Sequence, residues 1–94
     1  MHIRWLRQAL RDLDEAEAFI AQDNPAAATH VVLEIVRAVT FLREQPGIGR
    51  PGRVPGTREL VVPNVPFIVP YRVKGQTIEV LRVYHTSRKW PSQL

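Results

Sequence analysis

Two periodicities divide this chain. Up to residue 42, apolar residues recur every three or four positions. Leu6, Leu10, Leu13, Ala16 or Glu17, and Ile20 form one stripe, with Arg11, Asp12, Asp14 and Glu15 between them. Ala28, Val32, Ile35, Val39 and Leu42 form a second stripe. The break between them is Asp23-Asn24-Pro25, where Asn24 suits an N-cap and Pro25 the first helical position. Two amphipathic helices with so short a connection predict an antiparallel helical hairpin. Residues 2–6 ahead of it predict a short strand. Residues 46–56 are rich in Pro and Gly and predict a loop. The period then changes. Residues 57–62 (TRELVV), 67–73 (FIVPYRV) and 77–84 (TIEVLRVY) are β-branched and aromatic and predict strands, with Lys74-Gly75 as a tight turn. The tail, residues 85–94, is polar.

The order is β-α-α-β-β-β, an α+β fold with a helical hairpin packed on one face of a mostly antiparallel sheet. Pro66 and Pro70 have the same parity, so both missing N–H groups face the same neighbouring strand. That predicts a bulge or an interrupted ladder there. In the last run Ile78 and Val80 point one way and Leu81 and Val83 the other, so both faces of the sheet are partly apolar. Two helices cover one face. The other is left either for a partner or for a loop or the tail to fold over.

Ninety-four residues predict one domain spanning 1–94, with no second lobe and no deep cleft. Apolar residues at 45% and charged residues at 23% are the proportions of a soluble globular protein. No apolar run is long enough to span a bilayer, so no membrane role is expected. Residues 1–5 lack a charged-then-apolar leader pattern, so secretion by that route is not expected. The absence of cysteine excludes disulfides, thiolate metal sites and a Cys nucleophile, and it fits a reducing cytoplasm.

Charge sharpens the picture. Residues 1–49 carry five Arg against seven acidic residues; residues 50–94 carry eight Arg and Lys against two Glu. A basic second half suits an anionic partner, although Arg can also simply solubilise strands. His2, His30 and His85 are the only imidazoles and none sits in a metal-ligand spacing, so no metal and no cofactor are expected. A Ser-His-acid hydrolase is disfavoured because no Asp follows position 23. The Gly-rich loop lacks the Lys-Ser/Thr of a phosphate cradle. Metal-free RNA cleavage remains open. His85 could serve as acid or base, with Arg88 or Arg72 for the phosphate. The bland alternative is a histidine beside strand-surface arginines.

The ordered set Gly49-Arg50-Pro51-Gly52-Arg53, Arg58-Glu59-Leu60-Val61-Val62, the run 67–73, and the run 78–90 closing in His85-Thr86-Ser87-Arg88-Lys89-Trp90 resembles the RelE/ParE toxin superfamily. The Asn-Pro between the helices matches too, and the resemblance covers essentially the whole chain. It implies the toxin of a type II toxin–antitoxin pair, causing growth arrest in the cytoplasm. It also implies a complex with a cognate antitoxin, ribbon-helix-helix proteins being common partners in the superfamily. Two activities occur there. ParE-like members inhibit DNA gyrase and are not nucleases; RelE-like members cut mRNA on the ribosome. Residues that RelE-type nucleases share are mostly missing: Ile68 follows Phe67 where an Arg is found, Gly52 stands where a subset has Glu, and Arg58-Glu59-Leu60 has one basic residue in place of Lys-x-Lys. The resemblance therefore favours the ParE-like branch. Its target or partner contacts would be Arg50, Arg53, Arg82, Tyr84, His85, Arg88, Lys89 and Trp90. An mRNA interferase using Arg58, Arg72, His85 and Arg88 is the alternative, and a stand-alone nucleic-acid-binding module the third reading.

Overall fold

A computed structural model describes residues 1–87. It contains β1 (His2–Trp5), α1 (Arg7–Ala21), α2 (Pro25–Phe41), β2 (Arg50–Pro51), β3 (Arg58–Val61), β4 (Phe67–Lys74), β5 (Thr77–Val80) and β6 (Tyr84–His85). The strands make one sheet in the order β1-β5-β4-β3-β2, with β6 also paired to β4. All ladders are antiparallel except β1 on β5, which is parallel, its two strands being joined by the long connection that contains the helical hairpin and β2 to β4.

The second helix forms as its ends dictate. The Asn24 side chain accepts the Ala27 N–H at 3.1 Å, and Pro25 occupies the first turn, where its missing N–H costs nothing. Its buried residues are Ala28, Ile35 and Val39, with Leu42 just beyond, so the expected stripe is the observed one apart from a half-buried Val32. The first helix is rotated from expectation. Ala9 and Asp12 are its buried residues, Leu13, Ala16 and Ile20 pack against the core, and Leu10 is exposed. The rotation follows from Asp12, which is drawn inward by partners on the sheet.

One sheet face carries Leu60, Val62, Phe67, Val69, Tyr71, Ile78, Val80 and Val83 into the core against the two helices. The opposite face bears no helix, yet Ile68, Pro70 and Tyr84 are buried there. The large exposed apolar side chains include Phe19, Leu33 and Phe41 on the helices, Ile48 in the loop before β2, Val61 on β3 and Val73 on β4.

The expected strand over 77–84 is two strands. Pro70 presents its carbonyl to both Leu81 N–H (2.9 Å) and Arg82 N–H (3.5 Å) and has no N–H to return. The ladder stops after Val80 and resumes at Tyr84, with Thr86 N–H reaching the Pro66 carbonyl. Both prolines thus face the last strand, and the interruption falls opposite Pro70. Two smaller differences concern turns. The loop over 46–56 contains β2, and the turn between β4 and β5 is Gly75-Gln76, with Gly75 at φ 60°.

Candidate functional site

The site-bearing residues fall into three constellations along the sheet. At one end β6 sets His85 opposite Phe67, whose ring meets the imidazole edge-on at 5.2 Å between centroids. Ser87 donates its backbone N–H to His85 Nδ1 at 3.1 Å, and its Oγ lies 2.8 Å from the same nitrogen. An Nδ1 that accepts leaves Nε2 as the ring's donor in the neutral form. His85 is exposed and, with Phe67, Val83, Ala16 and Phe19, lines a cavity of about 610 Å³ between α1 and the sheet.

Beside it lies the Asp12 latch. Arg82 Nε donates to Asp12 Oδ2 at 2.7 Å and its terminal nitrogen to Oδ1 at 3.1 Å. Val83 N–H adds a bond at 3.0 Å, and Gln8 Nε2 adds one at 3.2 Å. The Arg82 guanidinium also sits 4.8 Å over the Tyr84 ring. Its hydrogen bonding to Asp12 raises its already high pKa further, against the opposing effect of burial. The fork of Arg82 is therefore engaged within the fold, and the latch fixes the interrupted segment that leads into His85.

At the other end the loop before β3 is clamped. The Tyr71 hydroxyl accepts the Gly49 N–H at 2.9 Å and donates to the Pro46 carbonyl at 2.7 Å. Burial pushes its pKa up. Gly49 is needed here, because a Cβ would stand 2.7 Å from the Tyr71 ring. Buried Glu59 accepts from the Arg50 guanidinium at 3.1 Å and from the Arg53 backbone N–H at 2.9 Å. Arg58 donates to the carbonyls of Gly49 (2.8 Å) and Gly47 (3.3 Å). The clamp shapes a groove of about 540 Å³ between α2 and β3, lined by Ala38, Phe41, Ile48, Leu60 and Val61.

The third constellation is on the helix-free face. Arg72 Nε donates to Glu79 at 2.6 Å, and Arg4 stands 3.9 Å from the same carboxylate. The hydrogen bond from Arg72 holds the Glu79 pKa below its ordinary value, helped by the charges of Lys74 and Arg4.

The expected target contacts do not form one cluster. Arg50 and Arg53 sit in the loop clamp, whereas Arg82, Tyr84 and His85 sit at the opposite end; Arg88, Lys89 and Trp90 lie outside the described residues. The described nuclease candidates, Arg58, Arg72 and His85, are also dispersed. Arg58 pairs with Tyr71 and Arg72 follows it, four and five residues along β4 from the Phe67 that faces His85. At a rise of ~3.3 Å per residue they are about 13 and 16 Å away, on opposite sheet faces. Among the described residues, no three His, Asp or Glu converge as a metal site.

Asp12, Glu59, Glu79 and Tyr71 organise these constellations, and none was expected to. A clue existed for two of them: Glu59 and Glu79 are the only acidic residues after position 44, each inside a strand pattern. An acid in a basic, β-rich half is a natural ion-pair centre.

A helical hairpin on a mixed sheet with this topology belongs to a class of small toxins with solved relatives. The chain aligns with a structure described as "Chromosomal ParDE TA system from P. aeruginosa" at TM-score 0.82 and 37% identity, over 93% of this chain and 97% of that one. The family model for the ParE toxin of the type II toxin–antitoxin system parDE matches residues 3–90, and the chain belongs to that family. A curated relative named "Putative toxin Y4kP", from Sinorhizobium fredii (strain NBRC 101917 / NGR234), is 49% identical over 98% of this chain and 95% of its own length. "Toxin RelE1" of Caulobacter vibrioides (strain ATCC 19089 / CIP 103742 / CB 15) is 29% identical over 83% of this chain and 85% of its own length.

Proposed function

We propose that this ParE-family toxin acts in the cytoplasm by binding and inhibiting DNA gyrase, with no bond-breaking chemistry of its own, and that a cognate antitoxin neutralises it. The observation that carries the reading is the dispersal of the described nuclease candidates Arg58, Arg72 and His85. Metal-free RNA cleavage needs a base, an acid and a cation around one phosphate, each within hydrogen-bond reach. Arg58 and Arg72 lie on opposite faces of the sheet, and both are far from His85. An inhibitor that works by contact needs a rigid, well-placed surface instead, and the Asp12 latch and Tyr71 clamp favour one. The exposed apolar side chains Phe19, Phe41, Ile48 and Val61 supply surface for an antitoxin segment to cover. A ribbon-helix-helix antitoxin fits the family resemblance.

The experiment pairs two reactions with one preparation of protein. Gyrase with ATP and relaxed plasmid should lose supercoiling activity, while mRNA on translating ribosomes should stay intact. Cut mRNA with normal supercoiling would replace this reading with ribosome-dependent cleavage.

A further inference from the structure

We propose that the helix-free sheet face around Glu79, bearing Arg4, Arg72 and Lys74, binds the phosphate backbone of duplex DNA. Strand register puts these groups together. Arg4 on β1 is opposite Glu79 on β5, and Glu79 is opposite Arg72 on β4. Lys74 lies two residues beyond Arg72 and so shares its face. Three permanent cations therefore surround one carboxylate, leaving an excess of two positive charges.

Two arginines share Glu79, Arg72 at 2.6 Å and Arg4 at 3.9 Å, and Lys74 adds a third cation on the same face. The cations are accessible: the side chain of Arg4 is 70% exposed and that of Arg72 is 45% exposed. Glu79 itself is buried beneath them and holds Arg72 by Nε. That bond orients the guanidinium and, among the described residues, leaves its two terminal nitrogens for an incoming oxygen. A planar Arg fork matches phosphate geometry, and Lys adds a point charge.

The chemistry favours DNA over a protein. Protein interfaces are anchored by apolar or aromatic side chains in pockets. Of the exposed apolar residues on the strands, Val61 shares this face but sits opposite Ile68, four residues along β4 from Arg72, and Val73 alternates to the opposite face beside Ile78. What remains is flat, polar and cationic, which suits a backbone read by charge alone. Arg4 and Arg72 are two strand spacings apart, about 10 Å. Duplex DNA presents a charge per ~1.7 Å of axis, so that span faces several phosphates. The inference rests on the gyrase reading in one respect only: it supplies the DNA segment that this face would hold.

The test is fluorescence anisotropy of the full chain with a labelled duplex of roughly 20 base pairs between about 50 and 200 mM salt. Arg4→Gln with Lys74→Gln leaves the Arg72–Glu79 pair intact and so spares the fold. We expect this double variant to bind about tenfold more weakly near 100 mM salt and to flatten the slope of log affinity against log salt by about 1.8, or ~0.9 per lost contact. Glu79→Gln, which adds net positive charge, should bind more tightly. Arg11→Gln, on the exposed side of α1, should change neither affinity nor slope. Unchanged affinity and slope in the double variant would overturn the proposal. So would unchanged DNA binding with weakened antitoxin binding, which would assign the face to an acidic protein. No gyrase enters this assay, so a toxin that binds DNA but leaves supercoiling untouched would refute the gyrase reading alone.

Discussion

Asp12 accepts hydrogen bonds from Arg82, the Val83 N–H and Gln8 while almost wholly removed from water. A buried carboxylate so satisfied contributes mainly through the penalty of disturbing it. Asp12→Ala strands a largely buried guanidinium and a buried backbone donor. It should cost about 3 kcal/mol, read as a lower urea midpoint with little change in slope. Glu79 adds a pH dependence. Its folded pKa is depressed by Arg72, so its stabilisation is fully present above the ordinary carboxylate range and fades as pH falls through the lower folded value. Urea midpoints should therefore decline on acidification below about pH 4.5, and Glu79→Gln should flatten that part of the profile. An unchanged acid limb in the variant would show that other carboxylates dominate. The identities of these acids were legible from the chain, but their partners were not. Asp12 meets a residue 70 positions away, and helical periodicity says nothing about contacts at that distance.

At the scale of elements, local chemistry and local structure agree where the deciding groups are neighbours. Asn24 caps the helix three residues ahead of its donor, Pro25 starts it, and the interruption opposite Pro70 follows from a missing N–H. Asn24→Ala should remove about 1 kcal/mol of stability, measurable by chemical denaturation, because Ala27 N–H loses its acceptor. Agreement ends where tertiary contacts decide. The strand over Arg50–Pro51 exists because Glu59 and Tyr71 hold the loop against β3, and nothing within the Pro- and Gly-rich run announces it. The rotation of α1 has the same origin. Leu10 was placed on the buried stripe by spacing alone, but the pull of Arg82 and Val83 on Asp12 turns Ala9 inward instead.

Across the whole molecule the toxin divides its surfaces by chemistry. Apolar grooves lie between the helices and the sheet, one closed by the His85 end and one by the Tyr71 clamp. Uncompensated positive charge collects around Glu79 on the face without helices. The uneven charge of the two halves suits an anionic partner, but it does not separate an arginine held within the fold from one that faces outward. Arg82, with a side chain 21% exposed against Asp12, is indistinguishable in the sequence from Arg4, 70% exposed, until their surroundings are known. The family, by contrast, was legible from ordered motifs that include residues spent on structure, such as Arg58 and Tyr71. Inhibition by contact is the central claim, and trapped cleavage of plasmid DNA by gyrase tests it most directly. With purified toxin and ATP, the account predicts that supercoiling stops, that linear plasmid accumulates, and that antitoxin reverses both. Supercoiling that proceeds unchanged at large excess of toxin would contradict it.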